Sequence, residues 1–323
     1  MRSDVMKFFK LSRPLSHVGY FETPHQQELL ADLNHTIQMG GLVAISGVVG
    51  CGKTTLLSKL QSDLQQSKTI LVSRSLAVDK ERVNVTTLIT ALFFDLATEK
   101  DVKIPTQSEK RERKLIGLIQ KHRKLVALFV DEAHELHYQT LVKLKRLIEL
   151  VRNNGGALSV ILAGHPKLKN DLRRPNLEEI GARASIFTLQ GIQGSQAEFI
   201  RWLIAECGLP KTEPTSLLTE PAIDLLAERL TTPLQIEQYL TMAFEEAYKV
   251  AQKTVTPDII NLVLSKGLND LEPRLIRHGY NTKVIAGLLN VRPGVIRSFI
   301  HGQLPPGRTQ DLKEQMLQLG IPV

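Results

Sequence analysis

Two short stretches of this 323-residue chain combine residue types that handle phosphate. The first, Gly47-Val48-Val49-Gly50-Cys51-Gly52-Lys53-Thr54-Thr55, fits the pattern G-x-x-x-x-G-K-[ST]. Its glycines let successive backbone N–H groups turn inward around an anion, and the positive end of a following helix adds to the attraction. In such a loop Gly47, Gly50, Cys51, Gly52 and Thr55 surround the phosphates, Lys53 reaches the β- and γ-phosphates, and the Thr54 hydroxyl is offered to Mg²⁺. The second stretch, Leu128-Phe129-Val130-Asp131-Glu132, is an apolar run ending in two acids. Asp131 at a strand tip can hold Mg²⁺, directly or through water. Glu132 can polarise a water for in-line attack on the γ-phosphate. Signalling-type GTPases place a glutamine at that step, so a glutamate here favours ATP hydrolysis.

Both stretches need a frame. Short apolar runs at 41–46, 69–72, 125–130, 158–163 and 186–189 read as buried strands. Between them, 53–66, 84–98, 108–121 and 140–153 carry helical periodicity. Strands alternating with helices imply parallel βαβ units and a sheet covered on both faces. After Gly191 the strand signal stops. Helical patterns at 195–206, 220–230, 233–253 and 257–266, separated by proline-containing turns, form an all-α subdomain. A last helical unit follows, with a Pro/Gly break at Leu304-Pro305-Pro306-Gly307. The expected organisation is a segment at 1–40, an α/β core with a parallel sheet at 41–191, a helical lid at 192–268 and a C-terminal unit at 269–323.

Composition narrows the classes. Hydrophobic residues make up 42% of the chain and charged residues 23%, which excludes disordered and low-complexity chains. The net charge of +8 is concentrated. Residues 100–124 hold nine basic against three acidic side chains, and 271–323 hold seven against three, so a polyanionic partner is favoured. Two cysteines, Cys51 and Cys207, cannot build a disulfide framework or a four-ligand zinc site. No apolar window approaches the ~18 residues of a membrane span, and the N-terminus lacks a secretory core, so a cytoplasmic protein without membrane contact is expected.

The phosphate loop, the Asp-Glu strand and the following Ala163-Gly164-His165-Pro166 together resemble an AAA+ ATPase. The resembling branch is ExeA-like and includes transposition regulators of the TnsC, TniB and MuB type. The similarity runs from about Phe21 to Ala251. It implies ATP and Mg²⁺ as ligands and a P-loop AAA+ core followed by a lid. It implies that Phe21, in Phe21-Glu22-Thr23-Pro24-His25-Gln26, contacts the adenine, and that His165 at the tip of the fourth strand senses the γ-phosphate or the attacking water. It also implies hydrolysis between subunits, with an arginine inserted from a neighbour, because a planar guanidinium neutralises developing phosphate charge. Arg183, just before the last strand, is favoured for that role over Arg173 and Arg174. One departure stands out. Where such lids open with Gly-x-Pro-Arg, this chain reads Thr231-Thr232-Pro233-Leu234-Gln235. Either Gln235 substitutes weakly for the arginine or the lid takes no part in hydrolysis, so turnover is expected to be slow.

Residues 281–300 fit a helix-turn-helix. Ala286 is small where two helices cross, Asn290 suits a left-handed turn, and Val291, Ile296 and Phe299 fall at buried spacings. Its second helix would enter a DNA major groove with Arg297, Ser298 and His301, beside Arg292. The unit resembles repressor-like domains fused to some transposition ATPases. By resemblance to TnsC-like proteins, loops around Lys80, Arg82, Lys103 and Thr106 would track the DNA backbone, with little sequence preference and strong salt dependence. The combined expectation is an ATP-dependent regulator of transposition. It would assemble as a ring or helical filament on double-stranded DNA, present itself to a transposase and a target-selection protein, and disassemble on hydrolysis. The alternative is an ExeA-like secretion or signalling ATPase acting on a protein partner.

Overall fold

The computed structural model describes residues 1–75, 83–97, 103–209, 214–264 and 270–323. The chain starts with α1 (Ser3–Phe8) and α2 (Pro24–Met39), and then strands are separated by one or two helices. β1 (Gly41–Ser46), α3 (Lys53–Ser67), β2 (Ile70–Arg74), α4 (Val85–Leu96), α5 (Ser108–His122) and β3 (Leu125–Val130) follow in order. Next come α6 (Tyr138–Asn153), β4 (Leu158–Gly164), α7 (Pro166–Leu172), α8 (Glu178–Gly181) and β5 (Ala184–Thr188). The remainder is helical: α9 (Gln196–Cys207), α10 (Pro214–Leu217), α11 (Glu220–Arg229), α12 (Pro233–Lys249), α13 (Pro257–Val263), α14 (Leu271–Arg277), α15 (Thr282–Leu289), α16 (Pro293–Ile300) and α17 (Pro306–Gln318). Two bodies result. One gathers residues 1–26, 49–52 and 190–274; the other gathers 27–48, 53–189 and 275–323.

The second body is built on a five-stranded parallel sheet in the order β2-β3-β4-β1-β5. Its central strands read as continuous apolar runs because helices cover both faces. Val126, Leu128, Val130, Val160 and Leu162 of the sheet are buried with Leu88 and Leu92 of α4, Leu115 of α5 and Leu144 of α6. Each such side chain contributes ~1.5–3 kcal/mol by leaving water. The edge strands differ from their expected bounds by a few residues. β2 extends to Arg74 and β5 begins at Ala184, because the added residues Ser73, Arg74, Ala184 and Ser185 are polar or small and carry no apolar-run signal. Ser46 pairs with Gly164, and Val130 with Leu162, so the carboxyl ends of β1, β4 and β3 lie level.

The same body contains the chain from Leu275 onward. Thr282–Leu289 and Pro293–Ile300 form the expected helix pair, with Asn290 in the left-handed conformation (φ 52°, ψ 43°). Ile285, Ala286, Ile296 and Phe299 are buried, while Val291 is only half-buried.

The first body is a helical core of its own. Val5, Phe9, Leu11 and Leu15 pack with Leu203, Ile223, Ile236, Leu240 and Phe244 from α9, α11 and α12. α12 opens with a capping box, the Thr232 hydroxyl accepting from Gln235 N while Gln235 caps the backbone in return. Thr23 and Gln26 repeat the motif: Gln26 N donates to Thr23 Oγ1, and Thr23 N donates to Gln26 Oε1. This box starts α2, a helix the strand-and-helix reading did not include, although Leu29, Leu33 and Ile37 recur at helical spacing and are buried.

Candidate nucleotide site

The site is assembled at the carboxyl ends of β1, β3 and β4, where open α/β sheets hold their ligands. After β1 the phosphate loop turns through Gly50 (φ +79°) and Gly52 (φ +98°), conformations that a side chain would strain. Lys53, the first residue of α3, is buried, and its Nζ donates to Gly47 O (2.9 Å) and Val48 O (3.0 Å). The next residue crosses to β3: Thr54 Oγ1 donates to Asp131 Oδ2 at 2.8 Å. Adjacent ligands of an Mg²⁺ octahedron, each about 2.0–2.1 Å from the ion, stand about 2.9 Å apart, so this oxygen pair fits that ion. Thr55 is exposed and Cys51 is buried.

Glu132 follows in the left-handed conformation (φ 52°, ψ 36°), its N–H donating to Asp131 Oδ1. Such backbone strain in a residue with a side chain concentrates at functional sites. Two imidazoles accompany its carboxylate. His134 Nδ1 lies 3.2 Å and His165 Nε2 3.7 Å from Glu132 Oε2. The two rings stack with centroids 3.7 Å apart. Hydrogen bonding toward His134 holds the Glu132 carboxyl below its ordinary range, and the Lys53 charge acts the same way. Burial, then the positive charges around it, push the His165 imidazole down to about 4, so it is neutral at pH 7.

Glu132, His134 and His165 also place three potential metal-ligand atoms within 4.8 Å of one another. The rings are inclined by only 24°, so their in-plane lone pairs run side by side. They do not converge at the roughly 2.0–2.1 Å that a metal–imidazole bond requires. The group is a carboxylate steered by two histidines.

His134 was not singled out from sequence, although Asp131-Glu132-Ala133-His134 carries it within one turn of the acid pair. Its approach depends on a distant glycine: a Cβ on Gly164 would meet His134 N at 3.0 Å.

In the first body, Leu234 N lies 3.4 Å from Gly50 O, and a Cβ on Gly50 would meet Leu234 Cβ at 2.6 Å. Gln26 Nε2 donates to Gly191 O, and Gly191 abuts Cys51. Phe21 sits edge-on to Phe199 and beside Trp202. Gln235 is committed to the helix start, accepting from Thr231 N and Thr232 N.

Arg183 stands at the other end of the sheet, one residue before β5, and pairs with Glu149 at 2.6 Å. The five residues of β5, at about 3.3 Å each, separate it from the strand tips, so it does not reach the phosphate loop of this chain. Arg173 is exposed and Arg174 pairs with Asp171. Lys103 and Thr106 are exposed, and their carbonyls accept from Lys114 and Arg111. Lys80 and Arg82 lie outside the described residues. Arg292 and Arg297 are exposed on the helix pair.

Residues 35–172 match the family model of an AAA domain. Over 225 residues the chain is 28% identical to general secretion pathway protein A of Aeromonas hydrophila, a distant ExeA-type relative. That match takes in 66% of this chain and 40% of the relative, so the chain corresponds to about two-fifths of that protein's length. Among solved structures, the Aeropyrum pernix ORC2 protein in its ADPNP–ADP complexes superimposes with a TM-score of 0.59 at 13% identity, covering 97% of this chain and 89% of that one. The Drosophila ORC bound to DNA gives 0.55 at 18%, covering 97% and 82%. Cdc6p from Pyrobaculum aerophilum gives 0.54 at 18%, covering 98% and 84%. The architecture is that of AAA+ ATPases. No helix among the described residues is long and apolar enough to cross a membrane.

Proposed function

We propose that the chain binds and hydrolyses ATP, and that ATP drives its assembly with further copies of itself on double-stranded DNA. The observation that carries the reading is the convergence of Lys53, Thr54, Asp131 and Glu132 at the carboxyl tips of β1 and β3, which flank β4 in the parallel sheet. Lys53, freed from the Gly47 and Val48 carbonyls, neutralises the β- and γ-phosphates. Thr54 and Asp131 would hold Mg²⁺, which when bound offsets the phosphate charge. Glu132 takes a proton from the attacking water as the new O–P bond forms and the β,γ bridging bond breaks, yielding ADP and phosphate. A neutral His165 beside Glu132 can contact that water or the γ-phosphate without competing for the proton. Arg183 acts in trans, leaving Glu149 to reach the γ-phosphate held by a neighbouring copy.

The DNA half of the reading rests on the helix pair at 282–300 with Arg292 and Arg297 exposed on it, and on the basic stretch at 100–124. Structural similarity to an ORC solved on DNA agrees with it. Within this reading the assembly regulates DNA transposition, recruiting a transposase and a target-selection protein to the site it marks. The similarity to general secretion pathway protein A favours a second reading, an ATPase whose partner is protein. Imaging the chain with duplex DNA and a non-hydrolysable ATP analogue separates them. Rings or filaments on DNA are expected. A protein that stays monomeric and off DNA removes the first reading and leaves the second.

A further inference from the structure

The chain after Leu275 is fastened to the turn that carries His165. Lys167 N donates to His278 O at 3.3 Å. The next residue, Gly279, has φ +89° and lies close against the His165 side chain: a Cβ there would meet His165 Cβ at 2.8 Å and Nδ1 at 2.9 Å. His165 Nδ1 is itself buried without a hydrogen-bond partner among the described residues, so packing alone seats this side of the ring. Tyr280 is 2% exposed, and its hydroxyl accepts from Asn170 Nδ2 at 2.6 Å. The same amide donates to Gly320 O at 2.9 Å, so a single side chain of α7 grips the C-terminal unit at both of its ends.

Tyr280 leads directly into the N-cap of α15: Asn281 Oδ1 accepts from Val284 N. From there the unit is stiff. Val291 N donates to Ala286 O across the turn, and Ile285, Ile296, Phe299, Leu312 and Met316 are buried. A displacement of α16 therefore reaches Tyr280 with little slack, because packed interiors transmit strain rather than absorb it. From Tyr280 the contacts run through Gly279 to His165, from His165 to the stacked His134, and from both rings to Glu132.

We propose that Asn170, Gly279 and Tyr280 are positioning residues that link occupancy of the helix pair by duplex DNA to the placement of His165 and Glu132. The link rests on the DNA-binding reading above. It works in both directions: a nucleotide whose γ-phosphate engages His165 changes DNA affinity by the factor by which DNA changes affinity for that nucleotide. Gly279 matters because any side chain there displaces the ring. Asn170 and Tyr280 matter because they set how far the helix pair can shift before the ring must follow.

The full chain tests this. Affinity for a long random-sequence duplex is measured with ADP and with a non-hydrolysable ATP analogue, alongside nucleotide affinity and steady-state turnover. Wild type is expected to prefer DNA by about fivefold or more in one nucleotide state. In Asn170→Ala and Tyr280→Phe that ratio falls toward one while nucleotide affinity and DNA affinity with ADP are retained. A purely structural role would lower all affinities together and leave the ratio. Gly279→Ala is expected to reduce kcat about tenfold or more with KM little changed. An undiminished ratio in Asn170→Ala and Tyr280→Phe overturns the link. So does a wild type that binds DNA equally well in both states, which leaves DNA binding intact but removes its dependence on ATP. A wild type with no DNA affinity removes both.

Discussion

At the carboxyl end of the sheet Lys53 is 6% exposed, Thr54 and Asp131 are joined by a hydrogen bond, and Glu132 is flanked by two stacked histidines. At the amino end Arg183 is 63% exposed and pairs with Glu149, which also faces Lys145, itself paired with Glu179. Both ends are rich in charge, but they hold it differently. Lys53 is buried and its charge is balanced by the Gly47 and Val48 carbonyls, an arrangement that a phosphate can replace, since an uncompensated buried charge is costly. The exposed groups satisfy one another in solvent, where such pairs contribute little and exchange partners easily. In the proposed reading the first end carries out the chemistry and the second is recruited by a neighbouring copy.

The largest effect expected breaks the first end. Glu132→Gln keeps the side-chain shape but cannot take a proton, so ATP turnover should fall by about 10⁴-fold with nucleotide affinity retained. Turnover close to wild type would mean that the base lies elsewhere. Next comes the second end. Arg183→Ala should cost about 10³-fold in turnover, the lower range for an arginine donated in trans. Mixing Arg183→Ala protein with Lys53→Ala protein should restore part of the lost activity, because one copy keeps the phosphate site and the other keeps the arginine. If the mixture is as inactive as its components, Arg183 does not act between copies.

What could be read beforehand divides along similar lines. Gly47 to Lys53 and Asp131-Glu132 were legible because their chemistry depends on neighbours in sequence. The helix pair was legible for the same reason, with Asn290 able to take the left-handed turn between two apolar helices. His134 was not, because its place beside Glu132 depends on Gly164, thirty residues away, leaving room for it. Gly279 and Tyr280 were invisible, since their contacts with His165 and Asn170 span more than 100 residues. The segment 21–26 shows local ambiguity: Thr23-Pro24-His25-Gln26 spells a helix start as well as a candidate adenine contact, and the structure shows the helix start.

A smaller effect concerns stability against pH. The folded chain holds His165 at about 4, below its ordinary 6.5, so the unfolded chain binds the extra proton between those values. Stability from this residue is therefore complete above about 6.5 and declines as pH falls toward 4. Glu132, also lowered, acts in a different window: its contribution is present above 4.5 and is lost as pH falls through its folded value. Denaturant titrations at several pH values should show a decline between 6.5 and 4 that His165→Gln flattens. An unchanged slope in that variant would assign the decline to other groups.

The smallest effect expected sharpens the contrast between the two ends. Glu149→Ala removes the partner of Arg183, and with Arg183 at 63% exposure the pair should be worth no more than about 1 kcal/mol of folding stability. Its consequence for turnover should have the opposite sign. If Glu149 restrains Arg183 before a neighbour's phosphate recruits it, losing Glu149 frees the arginine and leaves activity unchanged or modestly raised. A loss of turnover comparable to that of Arg183→Ala, with folding intact, would instead mean that Glu149 aims the arginine. The amino end of the sheet would then be as pre-organised as the carboxyl end, and exposure would have misjudged it.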